Sequence, residues 1–203
     1  MDREERQRAM SPDSALAELV AGNRRFTEGH PSFGLQSAHR VELASAQHPF
    51  AVVLGCSDSR VPVETLFDRP AGDLFVIRVA GNFIDTYGLA TLEYGIAILG
   101  AQLVFVLGHS SCGAVTAAVD FLESGESAPG TIQHLVDRLT PVARATRRDE
   151  GWIEAAVAEN VRATVAEIRN SSSIVADAIA RQKLKVVGGT YDLATGWVTP
   201  IEG

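Results

Sequence analysis

The sequence predicts an α/β fold with a central, mainly parallel four-stranded sheet that is flanked by helices. Short apolar runs rich in β-branched residues are typical of buried strands, and four of them recur along the chain. Segments with apolar residues at helical spacing separate these runs, as expected when right-handed crossovers connect parallel strands. A hairpin pattern over residues 190–199 adds a C-terminal hairpin strand. The four runs are residues 51–54, 74–79, 103–107 and 184–189.

Helix start signals support this alternation of strands and helices. Near the N terminus Ser11 is a suitable capping residue and Pro12 fits the first helical turn, so a helix should begin there. Gly22 or Asn23 should weaken its end. The ten residues before Ser11 are mostly charged or polar, and we expect them to be mobile. Further helices are predicted over residues 62–67, 89–99, 113–122, 131–149, 152–169 and 174–181.

Length and composition fit one domain. The chain has 203 residues, and residues 27–50 form a connecting arm rather than a domain boundary. The net charge of −7 and the pI near 5.2 argue against nucleic acid as a partner. No apolar run reaches the ~20 residues that span a bilayer, and the charged N terminus lacks the apolar core of a secretory signal. We therefore expect one cytoplasmic domain over residues 1–203, away from membranes, whose first 50 residues form an N-terminal helical arm.

Two short stretches that follow predicted strands carry the candidate site. Cys56 and Asp58 come directly after the first strand, and His109 and Cys112 come after the third. The carboxyl ends of parallel strands meet at one edge of a sheet, which is where ligands bind in open α/β folds. Thiolate, imidazole and carboxylate groups are the ligands that zinc takes in proteins. The sequence therefore predicts a zinc site at this edge, provided that the first and third strands are neighbours.

The types of these residues favour a catalytic zinc site with one open position. Cys56, His109 and Cys112 make a Cys₂His ligand set, which leaves the fourth position for water or for Asp58. Arg60 lies two residues beyond Asp58 and can pair with its carboxylate. That pairing would keep Asp58 off the metal and free to accept a hydrogen bond from bound water.

Other interpretations of the same residues stay open at this point. A structural zinc site would fill all four positions, although such sites usually use Cys-x-x-Cys pairs, which this chain lacks. The two cysteines could form a disulfide, although thiols stay reduced in the cytosol. Each cysteine could also be an ordinary core residue, and Asp58 and Arg60 could be a weak surface ion pair.

These two stretches resemble the signature motifs of the β-class carbonic anhydrases of bacterial type. Residues 56–60 are similar to that family's Cys-x-Asp-x-Arg motif, and residues 109–113 are similar to its His-x-x-Cys-Gly motif. The resemblance covers nearly the whole chain. Further segments that look like the family are residues 22–26, 61–64, 72–78, 93–94 and 191–192.

The resemblance implies one zinc ion per chain on Cys56, His109 and Cys112. It implies that Asp58 is the fourth ligand in a closed form and pairs with Arg60 in the active form. In the active form, zinc-bound hydroxide attacks carbon dioxide, and bicarbonate and a proton are released. The catalytic residues are then Asp58 and Arg60, which orient the water.

The resemblance also assigns residues beyond the metal ligands. It places Gln47 in the substrate pocket and the backbone N–H of Gly113 against the bound anion. It implies a homodimer whose N-terminal helix wraps the partner, often paired into a homotetramer. Some members have a regulatory bicarbonate pocket built from a tryptophan, an arginine and a tyrosine. Arg78 and Tyr191 match the last two, but no tryptophan precedes Cys56, which argues against this regulation.

Two alternative functions fit the same scaffold. The protein could hydrolyse carbonyl sulfide or carbon disulfide, as relatives do, with a changed pocket or entrance; rates on carbon dioxide and carbonyl sulfide would discriminate the two reactions. It could also be a catalytically silent zinc protein that Asp58 locks and that serves as a sensor or assembly subunit. That alternative predicts stoichiometric zinc without hydratase activity at any pH, and the presence of Arg60 argues against it.

Overall fold

The fold is organised around a five-stranded sheet, seen in a computed structural model that describes residues 3–32, 41 and 43–201. The strand order is β2-β1-β3-β4-β5. The first four strands are parallel, and β5 pairs antiparallel with β4. The predicted fold class is therefore confirmed, including the neighbouring positions of the first and third strands. The strands are Ala51–Gly55 (β1), Leu74–Arg78 (β2), Leu103–His109 (β3), Lys185–Tyr191 (β4) and Val198–Ile201 (β5).

Helices connect the strands and cover both faces of the sheet. Alternate residues of β1 belong to different core clusters: Ala51 and Val53 pack on one face, and Val52 and Leu54 pack on the other. Among the described residues, no helix is both long enough and apolar enough to cross a bilayer. The helices are Arg3–Ala9 (α1), Pro12–Thr27 (α2), Val63–Leu66 (α3), Thr86–Ala97 (α4), Gly113–Ser124 (α5), Ile132–Ala145 (α6), Trp152–Ser171 (α7) and Ser173–Ala180 (α8).

A third core cluster lies at the carboxyl end of the sheet, where α5, α6 and α7 pack together. It includes Cys56 and Cys112 beside apolar residues of the three helices, such as Val115, Leu139 and Val157. Both cysteines are buried. The candidate metal ligands are thus fixed by packing between helices and not held on a loop in solvent.

The N-terminal segment differs from the sequence prediction, because Arg3–Ala9 form the helix α1. The Arg6 guanidinium donates to Asp73 Oδ2 at 2.7 Å. Gln7 Nε2 donates to the carbonyl groups of Pro49 and Leu99, at 2.7 and 2.6 Å. These long-range contacts hold α1 against the amino end of its own sheet. That the arm over residues 1–50 also covers a partner subunit stays a prediction.

Helix α2 begins as predicted and continues past its predicted weak point. Ser11 and Ser14 exchange hydrogen bonds between side chain and backbone in a capping box, with Ser14 N–H donating to Ser11 Oγ at 3.1 Å. Gly22 does not end the helix; a Cβ there would lie 1.8 Å from the Phe67 carbonyl oxygen, so the glycine permits close packing. Asn23 Nδ2 donates to the carbonyl oxygens of Leu66 and Gly196. Both residues therefore dock α2.

Candidate metal centre

The sheet register brings the predicted ligands together. Gly55 at the end of β1 lies beside Leu107 of β3, so Cys56 and His109 leave the sheet at the same edge. Cys112 follows three residues after His109 and precedes α5. One ligand atom each from Cys56, His109 and Cys112 lies within 4.8 Å of the others, and the two Sγ atoms are 4.0 Å apart. The three side chains that the sequence nominated therefore form a compact, buried donor cluster.

Local backbone geometry places Cys112 at the start of a helix. The turn before it needs Ser111 in the left-handed region, with φ of 53°. Cys112 is the N-cap of α5, although its side chain makes no capping hydrogen bond. The helix N terminus carries partial positive charge, which favours a thiolate.

The imidazole of His109 presents a free nitrogen to this cluster. Its side chain is 0% exposed, and Nδ1 lies 3.0 Å from the Ser110 carbonyl oxygen. A carbonyl oxygen only accepts, so Nδ1 carries the proton and Nε2 of the neutral ring keeps its lone pair. Within the part of the chain that the structure describes, the buried Nε2 has no hydrogen-bond partner. An unpartnered buried acceptor beside two sulfurs fits a metal ion of the zinc type.

The two cysteine sulfurs lie close enough to change each other's acidity. The hydrogen bond from the Cys112 thiol lowers the pKa of Cys56 to about 4, and burial opposes that shift. The same hydrogen bond to Cys56, together with burial, raises the pKa of Cys112. A cation between the two sulfurs would favour the thiolate form of both, because zinc binds thiolate and not thiol.

Asp58 is held by Arg60 at the mouth of the cluster. Arg60 Nη2 donates to Asp58 Oδ2 at 2.7 Å, and Arg60 Nε and backbone N–H both donate to Oδ1 at 2.9 Å. Hydrogen bonds from the Arg60 side chain hold the pKa of the Asp58 carboxyl well below its usual range. Asp58 Oδ2 is 3.9 Å from His109 Nε2. The structure therefore contains the Asp58–Arg60 pair, whereas Asp58 as a fourth metal ligand stays a prediction.

Arg78, at the end of β2, braces the loop that carries Cys56 and Asp58. Its Nε donates to the Cys56 carbonyl oxygen at 2.9 Å, and its Nη2 donates to the Asp58 carbonyl oxygen at 2.6 Å. The sequence nominated Arg78 only through the resemblance to a regulatory pocket. In the structure its guanidinium instead fixes the main chain of the candidate site.

Two further residues at the site were missed by the sequence analysis. The Gly81 N–H donates to Cys56 Sγ at 3.4 Å, and Asn160 Nδ2 on α7 donates to the Gly81 carbonyl oxygen at 2.7 Å. Asn160 lies on the buried face of α7 between Val157 and Val161. A lone amide in that position was the available signal, because a buried polar side chain requires a partner.

The two predicted substrate-pocket residues lie in different places. Gly113 opens α5 directly after Cys112, and a Cβ at this position would meet nothing within 4 Å, so the space beside it is open. Gln47 precedes β1 and lines a cavity of about 1030 Å³ at the amino end of the sheet. The five residues of β1 separate it from Cys56, which corresponds to roughly 16 Å of strand. The structure does not bring Gln47 to the metal cluster of its own chain.

Comparisons with known proteins agree on one family. The family described as carbonic anhydrase matches residues 51–198. The chain is 41% identical over 192 residues to a carbonic anhydrase of Mycolicibacterium smegmatis, a match that covers 93% of this chain and 92% of that protein. Among solved structures, the β-carbonic anhydrase CcaA is similar with a TM-score of 0.71 and 30% identity, over 94% of this chain and 89% of that chain. A tetrameric β-carbonic anhydrase of Sordaria macrospora gives a TM-score of 0.73 and 26% identity, over 94% and 96% of the two chains.

Proposed function

This chain belongs to the β-carbonic anhydrase family, and we propose on that basis that it catalyses the reversible hydration of carbon dioxide to bicarbonate and a proton. The observation that carries the proposal is the buried cluster of Cys56, His109 and Cys112 with its unpartnered His109 Nε2. These three residues would hold one zinc ion per chain. Zinc bound there supplies a Lewis acid that lowers the pKa of a coordinated water and so provides a nucleophile near neutral pH.

Asp58 and Arg60 are proposed to orient the attacking water. An ionised carboxylate only accepts hydrogen bonds, so Asp58 would accept one from the water and direct a lone pair of its oxygen toward carbon dioxide. Arg60 binds both carboxylate oxygens of Asp58 and also donates to the Ser111 carbonyl oxygen at 3.3 Å. Arg60 thereby ties the Asp58 loop to the Cys112 loop, which supports a fixed orientation of the carboxylate.

Gly113 and Gln47 are proposed to contact the substrate, and the two residues would have to come from different copies of the chain. The first-turn N–H of Gly113 has no acceptor within the helix, and open space lies beside it, so it can donate to a bicarbonate oxygen. Gln47 lies at the opposite end of β1 in the same chain. A role for Gln47 in the pocket therefore requires the Gln47 of a second copy.

We also propose that the protein forms a homodimer or homotetramer in the cytoplasm. A structural neighbour is titled as tetrameric. Strand β2 lies at the end of the sheet, and Tyr87, Tyr94 and Ile98 on and beside α4 are exposed next to it. An edge strand beside exposed apolar side chains is a typical interface between copies.

The free thiols of Cys56 and Cys112 agree with a reducing compartment. Light scattering should give the mass of at least two chains; a monomer would contradict the assembly.

The test of the proposed function is stopped-flow hydration of carbon dioxide by zinc-loaded protein. Wild type should be active, and Asp58→Asn should lose about 100-fold in turnover with zinc still bound, because it loses the anionic acceptor. Asp120→Asn is the matched control, since Asp120 is exposed on α5. Zinc-loaded wild type without activity on carbon dioxide would contradict the function, and full activity of Asp58→Asn would contradict the role of the dyad.

A further inference from the structure

We propose that Asn160 is a positioning residue of the metal centre, which acts through the backbone of Gly81 on the sulfur of Cys56. The inference rests on the proposed function, since it concerns the same zinc site. It adds a residue on α7, 104 positions from Cys56 in the chain, to the residues that shape that site.

The first contact is a buried hydrogen bond from the Asn160 side chain. Asn160 is 4% exposed, and its Nδ2 donates to the Gly81 carbonyl oxygen at 2.7 Å. The apolar residues Val157 and Val161 flank it on the same helix face. Burial of an amide without a partner is unfavourable, so Asn160 fits this face because Gly81 accepts its hydrogen bond.

The second step is the conformation of the loop after β2. Gly81 has φ of +83° and Asn82 has φ of +42°, both in the left-handed region. A Cβ at Gly81 would lie 2.8 Å from Leu139 Cδ1, so the loop also approaches α6 closely. Glycine adopts this region without strain and asparagine tolerates it, so the loop conformation is locally allowed but not fixed by the loop itself. The hydrogen bond from Asn160 holds the loop in this conformation from α7.

The third contact reaches the metal ligand. In this loop conformation the Gly81 N–H points at Cys56 Sγ, with a nitrogen-to-sulfur distance of 3.4 Å. A hydrogen bond to a thiolate withdraws electron density from the sulfur and fixes its direction, which tunes the bond to a metal. Asn160 thus orients a donor to Cys56 without touching the sulfur itself.

Cobalt-substituted protein tests this role without any measurement of activity. The thiolate-to-cobalt charge-transfer band in the near ultraviolet should move to lower energy in Asn160→Leu, because the Cys56 sulfur loses its hydrogen bond and becomes more electron-rich. Zinc affinity, measured by competition with a chromophoric chelator, should fall about tenfold. Asn160→Ser, which keeps a shorter hydroxyl donor and adds no volume, should show a smaller shift in the same direction.

Thr164→Val is the matched control, because Thr164 is 1% exposed one turn further along the same face of α7. It should leave the cobalt band and the zinc affinity unchanged. Lower melting temperatures of both Asn160 variants, with the wild-type band and zinc affinity, would overturn the proposal and make Asn160 a packing residue. A shifted band in a protein whose wild type does not hydrate carbon dioxide would support the role of Asn160 and overturn only the proposed function.

Discussion

The two ends of the central sheet both carry charged and polar side chains, and they differ in how far those groups are already paired. At the amino end, Arg69 binds Asp73 and Glu18, and Arg6 also binds Asp73. At the carboxyl end, His109 Nε2 has no partner in the described part of the chain, although it is fully buried. A saturated set of charges stabilises the fold, whereas an unsaturated set of donors is available to a ligand.

The ion pairs around Arg69 and Asp73 at the amino end of the sheet are deeply buried, which indicates a structural role. The side chains of Arg69 and Asp73 are 2% and 1% exposed. The Arg69 guanidinium also lies over the Phe50 ring, 5.2 Å from its centroid. Two charges at such depth are tolerated only as a hydrogen-bonded pair. The pair joins α1 and α2 to the strand edge, so its function is to hold the N-terminal helices in place.

The largest expected effect, on zinc affinity and on activity, comes from removing His109, whose Nε2 has no partner in the described part of the chain. His109→Ala should lower zinc affinity by more than about 100-fold and abolish hydration, because a cluster of only two thiols binds the ion poorly. His134→Ala is the matched control, since His134 is exposed on α6. Zinc per chain after dialysis and the circular dichroism spectrum measure the effect. A variant His109→Ala that retains one zinc per chain would contradict the ligand assignment.

The next largest effect concerns the ion pairs at the amino end of the sheet. Their loss should lower the stability of the fold without changing zinc binding. Asp73→Asn keeps the shape of the side chain but removes the buried one of the two carboxylates that Arg69 binds, which should cost about 3 kcal/mol in the free energy of unfolding. Urea unfolding at fixed protein concentration measures this loss. Glu159→Gln, which breaks an exposed pair with Arg162, should cost less than about 0.5 kcal/mol. Equal losses in the two variants, or loss of zinc in Asp73→Asn, would remove the distinction between the two ends.

The smallest expected effect is the number of protons that are released when zinc binds at the carboxyl end of the sheet. Near pH 7 the metal-free protein should hold Cys56 as thiolate, with a pKa of about 4, and Cys112 as thiol, since its pKa is raised. Zinc binding should then release about one proton, and zinc affinity should rise about tenfold per pH unit. Calorimetry in two buffers of different ionisation enthalpy measures the release. Two protons would show that both thiols are protonated before zinc binds.

Residues whose role follows from local pattern were predictable from sequence. The apolar runs over residues 51–54 and 103–107 predict β1 and β3, which extend one and two residues further, and the three metal-ligand candidates follow from their chemistry near those strand ends. The helix over Arg3–Ala9 was missed because its own residues carry no apolar stripe; contacts with Asp73 and Pro49 hold it. Gln47 was assigned to the pocket by resemblance, and the structure shows that its own chain places it at the other end of the sheet.

The strands, the helices that separate them and the chemical identity of the donor cluster can be predicted from the sequence alone, because they depend on residue type and short-range spacing. The groups that surround the donors are set by the tertiary fold. Asn160 and Gly81 are 79 positions apart, and Arg6 and Asp73 are 67 positions apart. No local pattern specifies such partners, since their pairing depends on how the helices pack against the edges of the sheet. The chemistry of a side chain follows from its residue type, whereas the group that it contacts depends on the three-dimensional packing of the chain.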